Sequence, residues 1–220
     1  MEAPSPEIER DRVLTPAELS LVWRAAEAIP TPYRQILHML VLTGARRDEV
    51  AGMEWRELDL DQQVWTLPAA RSKNRREHVV PLSAPALAIL KGLPHVEKCP
   101  FAFGGGKAAP ANFAKAKHRL DAEVTKMNGG APVAHWTLHD IRRTVATELA
   151  GLKIAPHVVE AILNHKSGTI RGVAAIYNRY EYGPEKRTAL DSWARRLDAV
   201  VTGSDPENVV EIASAMGRRT

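Results

Sequence analysis

Thr137-Leu138-His139-Asp140-Ile141-Arg142-Arg143-Thr144 reads as the opening of an amphipathic helix. Thr137 is a good N-cap, and Asp140, three residues on, completes a capping box. Leu138, Ile141, Val145, Leu149 and Leu152 recur at helical spacing and form the apolar stripe. His139 and Arg142, at i and i+3, lie off that stripe and near each other. Two such side chains can hold two oxygens of one phosphate. The plainer alternative is a polar, solvated outer face.

Upstream, Thr43-Gly44-Ala45-Arg46-Arg47-Asp48-Glu49-Val50 carries a second arginine. Gly44 ends one helix and the next begins near Arg46. Arg46 and Glu49 are three apart, so they are expected on one helical face, the carboxylate steadying a guanidinium able to bind an anion. A surface ion pair is the alternative. Between these segments lies the basic stretch Arg71-Ser72-Lys73-Asn74-Arg75-Arg76, whose lysine sits where a hairpin tip is expected. Downstream, Leu163-Asn164-His165 ends a helix, and Tyr177-Asn178-Arg179 lies in the next.

The remaining pattern is mostly helical. Thr15-Pro16-Ala17-Glu18 opens a helix, with Thr15 and Glu18 as a capping box and Pro16 in the first turn. Helices are expected over 32–43, 84–91, 111–127, 137–150, 156–164, 169–179 and 185–198. Short strands are expected between Trp55 and Leu82, with a turn at Asp61-Gln62-Gln63. The fold class is therefore mainly α with a small antiparallel β-sheet (α+β).

The chain has 220 residues, 45% hydrophobic and 25% charged, ordinary for a globular domain able to bury its own core. The single cysteine, Cys99, can form no internal disulfide, and no paired-Cys or HExxH spacing points to a metal. No apolar run is long enough to span a membrane, and the start does not read as a signal peptide, so a cytoplasmic location is expected. The net charge is only +4, but it is unevenly spread. Residues 1–30 carry 3 Lys/Arg against 6 Asp/Glu, and residues 101–196 carry 15 against 8. The basic middle can face a polyanion, or be a solvated surface.

The order Arg, Lys, His-x-x-Arg, His, Tyr resembles the tyrosine recombinase family, of the phage-integrase type. LTGARRDEV (42–50) resembles its first arginine motif and LHDIRRTVAT (138–147) its His-x-x-Arg motif. ILNHKSGTIRGVAAIYNRYEY (162–182) resembles its closing segment, especially that of prophage-type integrases. The resemblance covers about residues 14–198. It departs in Asn164, where many relatives have glycine, and in the 12-residue step from His165 to Tyr177, with Tyr180 and Tyr182 close by.

The resemblance implies the recombinase catalytic fold over residues 14–198, after a linker at 1–13. Residues 199–220 would be a tail, with 207–216 a candidate for a helix exchanged between subunits. Arg46 and Arg142 would clamp the non-bridging oxygens of a scissile phosphate. His139 and His165 would add hydrogen bonds and assist proton transfer. Lys73 would protonate the departing 5′ oxygen, and Tyr177 would attack phosphorus to give a 3′-phosphotyrosyl link. Glu49 would support Arg46, and Arg71, Arg75, Arg76 and Arg143 would contact DNA.

Neither cofactor nor metal is implied. The implied partner is double-stranded DNA at attachment sites, bound in a homotetramer. Family members usually carry a helical DNA-binding domain ahead of this one, so the chain is expected to be the catalytic part of a longer integrase. Rival expectations are a non-catalytic DNA-binding module, a type IB topoisomerase, and a purely structural helical protein.

Overall fold

Glu18 N donates to the Thr15 hydroxyl at 3.2 Å, and Thr15 N donates to Glu18 Oε2 at 2.9 Å. These bonds form the capping box that starts α1 (Pro16–Ala26). This computed structural model describes residues 11–106, 108–165 and 181–204. Among them follow α2 (Tyr33–Thr43), α3 (Arg47–Ala51), α4 (Ala84–Lys91), α5 (Phe113–Met127), α6 (Leu138–Gly151), α7 (Pro156–Ile162) and α8 (Gly183–Thr202). The mostly helical fold with its small inserted sheet is the expected one.

The sheet comprises β1 (Leu58–Asp59), β2 (Val64–Leu67) and β3 (His78–Pro81), antiparallel in that order. Trp65 pairs with Val80 and Leu67 with His78. Trp65 and Leu67 alternate into the core, while Val64 and Thr66 face outward and are only partly covered. The Asp59 carboxylate accepts from Asp61 N and Gln62 N at 3.1 and 2.8 Å, fixing the turn before β2. The loop from β2 to β3 carries the basic stretch 71–76, as its hairpin position predicts.

One core unites the helices and sheet. Ile141, Val145 and Leu149 of α6 are fully buried, each contributing roughly 1.5–3 kcal/mol. α8 packs against α1, α2, α7 and β3. Its Trp193 is fully buried and donates Nε1–H to Val41 O at 2.8 Å, so the indole keeps its hydrogen bond inside the core. Lys186 is also buried and donates Nζ to Val79 O at 2.6 Å, tying α8 to the sheet.

Most helix boundaries fall within two residues of expectation, and two helix ends differ for a visible reason. α7 stops at Ile162 rather than 164, because Asn164 turns to φ 47°. α8 runs on to Thr202 rather than 198, since Val200 extends the buried face and Gly203 at φ 73° then ends the helix. Residues 1–10 of the expected linker (1–13), the expected helix over 169–179, and residues 205–220 of the expected tail (199–220) lie outside the described residues.

Candidate active site

Gly44 closes α2 at φ 63°, donating its N–H to Leu40 O at 2.9 Å. A Cβ there would lie 3.0 Å from Val145 Cγ1 and 3.1 Å from Leu163 Cδ2. Glycine therefore permits both the backbone turn and the close approach of α6. The chain then extends through Arg46, the N-cap of α3.

The Arg46–Glu49 pair forms, but not as two residues on one helical face. Arg46 is extended, and Glu49 reaches back from the third helical position. Glu49 Oε2 accepts from Arg46 N at 3.2 Å, and Oε1 accepts from Arg46 Nη1 at 3.1 Å. One buried carboxylate thus fixes both the backbone and the guanidinium of Arg46.

Arg142 lies off the apolar stripe of α6, yet it is only 4% exposed, so it is no part of a solvated outer face. Its Nη1 donates to Gly44 O at 2.7 Å and its Nη2 to Leu163 O. Two of five guanidinium donors are thereby committed, leaving three for a ligand. Burial, then repulsion from Arg46, pulls its pKa down to about 10, with Glu49 acting the other way. Arg142 remains a cation at neutral pH.

His139 stands in the first turn of α6 and His165 in the turn after α7, both exposed. Both pKa values lie below the ordinary histidine value. For His139 the causes are partial desolvation, then Arg143 and Arg142, with Arg46 also contributing and Asp140 opposing. For His165 they are partial desolvation, then Arg142 and Arg46, with Glu160 opposing and His139 adding a little. The two histidines and two arginines thus share one electrostatic environment, although they come from three separate segments. Both rings are neutral at pH 7 without a ligand, and a bound anion would favour their protonation.

The cleft in front of them has a volume of about 670 Å³ and is lined by Arg46, Lys73, His139 and Arg142 among others. Lys73 enters from the exposed loop between β2 and β3. Lys117 and His135 line the same cleft, and sequence reasoning did not single them out. Lys117 sits 3.9 Å from the centroid of the Trp136 ring and pairs with Asp121 at 2.6 Å. Its sequence signal was the basic run Lys115-Ala116-Lys117-His118-Arg119, visible only as part of the general charge excess.

The four expected DNA-contacting arginines are placed differently. Arg75 and Arg76 are exposed on the loop. Arg143 pairs with Asp140 at 3.0 Å and is partly exposed. Arg71 turns inward instead of toward solvent. Its Nε and Nη2 donate to Glu57 Oε1 and Oε2 at 2.7 and 2.8 Å, and Nη2 also donates to Glu49 O at 3.1 Å. Tyr177 and Tyr180 lie outside the described residues; Tyr182 caps α8, its ring 5.0 Å from that of His157.

His78 of β3, which no sequence pattern exposed, is half-buried and close enough to Arg142 and Arg46 to feel their charge. Its Nε2 lies 3.0 Å from Ile162 O, a partner that fixes the neutral tautomer with the proton on Nε2. Burial, then the cation of Lys186, brings its pKa down to about 4; the Ile162 bond opposes this, and Arg142 and Arg46 add to it. The folded pKa is below the unfolded one, so acid protonates the unfolded chain first. This contribution to stability is complete above about pH 6.5 and is lost as pH falls toward about 4, by about 2–3 kcal/mol. His78→Gln keeps a donor but cannot titrate. Urea denaturation at about pH 7 and about pH 4.5 is expected to show a shallower acid loss in the variant. Equal losses in both proteins contradict this account.

Comparison with known proteins identifies the family and the fold. The phage integrase family model matches residues 12–182. The prophage integrase IntA of Escherichia coli K12 is 32% identical over 170 residues, covering 74% of this chain and 38% of the relative. The chain spans less than half the length of the curated relatives it matches, 45% for prophage integrase IntZ of the same strain. Among solved structures, the integrase from mycobacterium phage Brujita superposes with a TM-score of 0.61 at 14% identity, covering 91% of this chain and 67% of that one. A lambda integrase (75–356) dimer bound to a COC′ core site gives 0.57 at 19%, covering 77% and 63%. These structures share the fold, and the family match extends over most of the sequence. The chain belongs to the phage integrase family.

Proposed function

We propose that residues 14–198 are the catalytic unit of a site-specific recombinase that cuts and rejoins double-stranded DNA through a 3′-phosphotyrosyl intermediate. The observation that carries this reading is that Arg46, Lys73, His139 and Arg142 line one cleft, with His165 near enough to feel the charges of Arg142 and Arg46. The solved lambda integrase relative is bound to a core DNA site, and the proposed partner here is likewise duplex DNA.

A backbone phosphate seated in the cleft meets the free donors of Arg142 and the Glu49-steadied guanidinium of Arg46. Both cations stabilise charge developing on the non-bridging oxygens. A free tyrosine titrates near pH 10, and neighbouring cations favour its phenolate. The Tyr177 phenol gives its proton to a neutral imidazole, His139 or His165, and its oxygen attacks phosphorus. The bond from phosphorus to O5′ breaks, and the Lys73 ammonium protonates the departing oxygen. In the reverse sense a 5′ hydroxyl attacks the phosphotyrosine, so rejoining needs no external energy source. Action as a homotetramer on two attachment sites, in the cytoplasm, belongs to this proposal. Among the described residues no helix is long and apolar enough to cross a membrane.

A nicked suicide duplex, which loses its short 5′ fragment after cleavage, tests the reading. The chain is expected to form a covalent DNA adduct, and Tyr177→Phe to lower its yield by at least about a thousandfold. An adduct that persists in Tyr177→Phe moves the nucleophile elsewhere, and no adduct from the parent chain leaves a DNA-binding module. Exchange between two marked sites, rather than relaxation of one supercoiled plasmid, separates a recombinase from a topoisomerase.

A further inference from the structure

Three consecutive carbonyls at the end of α7 are taken by side chains from three different segments. Ile162 O pairs with His78 Nε2 at 3.0 Å, Leu163 O accepts from Arg142 Nη2, and Asn164 O accepts from Asn74 Nδ2. A helix leaves its last carbonyls without intrahelical partners, so each is a natural docking point. The third bond joins the two loops that carry Lys73 and His165, since Asn74 follows Lys73 and Asn164 precedes His165.

Asn164 sits at φ 47°, a conformation that glycine and asparagine tolerate best. A glycine here would satisfy the backbone alone. The asparagine side chain does more. Its Nδ2 donates to Ser72 Oγ at 3.0 Å, where Ser72 is buried, and its Oδ1 lies 3.4 Å from Asn74 Nδ2. The residues on both sides of Lys73 are therefore bonded to Asn164. The loop exposes Lys73, Arg75 and Arg76 within four residues, and like charges this dense tend to splay an exposed hairpin tip. Neutral hydrogen bonds resist that tendency at any salt concentration.

We infer that Asn164 is a positioning residue: with Ser72 and Asn74 it latches the loop of Lys73 to the turn of His165, and so holds the proton donor at the cleft before DNA arrives. This inference rests on the reading of Lys73 as the acid for the 5′ oxygen. Lysine has a long flexible stem, so its usefulness as an acid depends on where its backbone is held.

Asn164→Gly removes the side-chain bonds and keeps the backbone conformation accessible. Ser72→Ala removes one acceptor and serves as the second variant. Each is assayed on two nicked duplexes, one ordinary and one with sulfur in place of the scissile O5′. A thiolate, from a thiol of pKa near 8.5, leaves without prior protonation. Asn164→Gly is expected to slow adduct formation about tenfold on the ordinary duplex and to stay within about twofold of the parent on the sulfur duplex. Ser72→Ala is expected to act in the same direction, and the double variant to add little. Hydrogen exchange at amides 72–75 is expected to quicken at least about fivefold in Asn164→Gly.

Lys73→Ala is the control for the reading itself. If sulfur rescues Lys73→Ala but not Asn164→Gly, or if the loop amides exchange unchanged, the latch is overturned alone. If sulfur fails to rescue Lys73→Ala, the reading of Lys73 as the acid falls, and the purpose of the latch falls with it.

Discussion

Arg142→Ala is expected to cost about 3–4 kcal/mol of stability and to lower adduct formation by at least about a thousandfold. The stability loss follows from what the guanidinium touches. It is almost wholly buried and supplies donors to Gly44 O and Leu163 O. Truncation leaves both carbonyls short of a donor and opens a cavity against α2 and α7. Relief of the repulsion from Arg46 offsets part of this loss. Arg142→Lys keeps the charge but cannot span both carbonyls with one planar fork, so it is expected to recover only part of either quantity. Urea denaturation gives the stability, and the adduct rate is taken at a temperature where circular dichroism shows the variant folded. A variant as stable as the parent contradicts the structural half of this expectation.

Arg71→Ala is expected to destabilise the fold by about 3 kcal/mol while leaving the salt dependence of DNA binding unchanged. Glu57 is buried, accepting from Trp65 Nε1 at 2.9 Å and from Arg71 at 2.7 and 2.8 Å. Removing the arginine strands a buried carboxylate with two neutral donors, Trp65 Nε1 and Glu54 N, and no cation. The same guanidinium also holds Glu49 O, so the damage reaches the support of Arg46. The double change Arg75→Ala/Arg76→Ala provides the contrast. These exposed residues are expected to alter stability by no more than about 1 kcal/mol, and to reduce the salt slope of binding by about 2. Urea denaturation and a salt titration of duplex binding read the two quantities separately. A lower salt slope with unchanged stability in Arg71→Ala would restore it to the DNA face.

The contrast between these arginines shows what the sequence can carry. Thr15 with Glu18 and Thr137 with Asp140 are local devices, closed within three residues, and they mark helix starts correctly. The stripe of Ile141, Val145 and Leu149 is equally local and points into the core as its spacing predicts. Arg142 is different. Periodicity puts it off the stripe, and only contacts to residues 98 and 21 positions away explain its burial. His78 has the same character, since its partner is 84 residues distant and a lone strand histidine has no pattern. Arg71 and Arg75 are indistinguishable in a basic loop until Glu57 is seen beneath one of them. The departure at Asn164, noted in the sequence as a missing glycine, acquires a physical reason only through Ser72 and Asn74, 92 and 90 residues away.

The proposed cleavage requires Arg142 to neutralise a non-bridging oxygen of the scissile phosphate, and a methylphosphonate at that position tests it directly. The substitution removes the negative charge that the guanidinium is proposed to face. Arg142→Ala is predicted to join itself to the nicked methylphosphonate duplex at least about a hundredfold faster than to the ordinary duplex. Equal rates on the two duplexes, from a folded variant, would contradict the placement of the phosphate in this cleft.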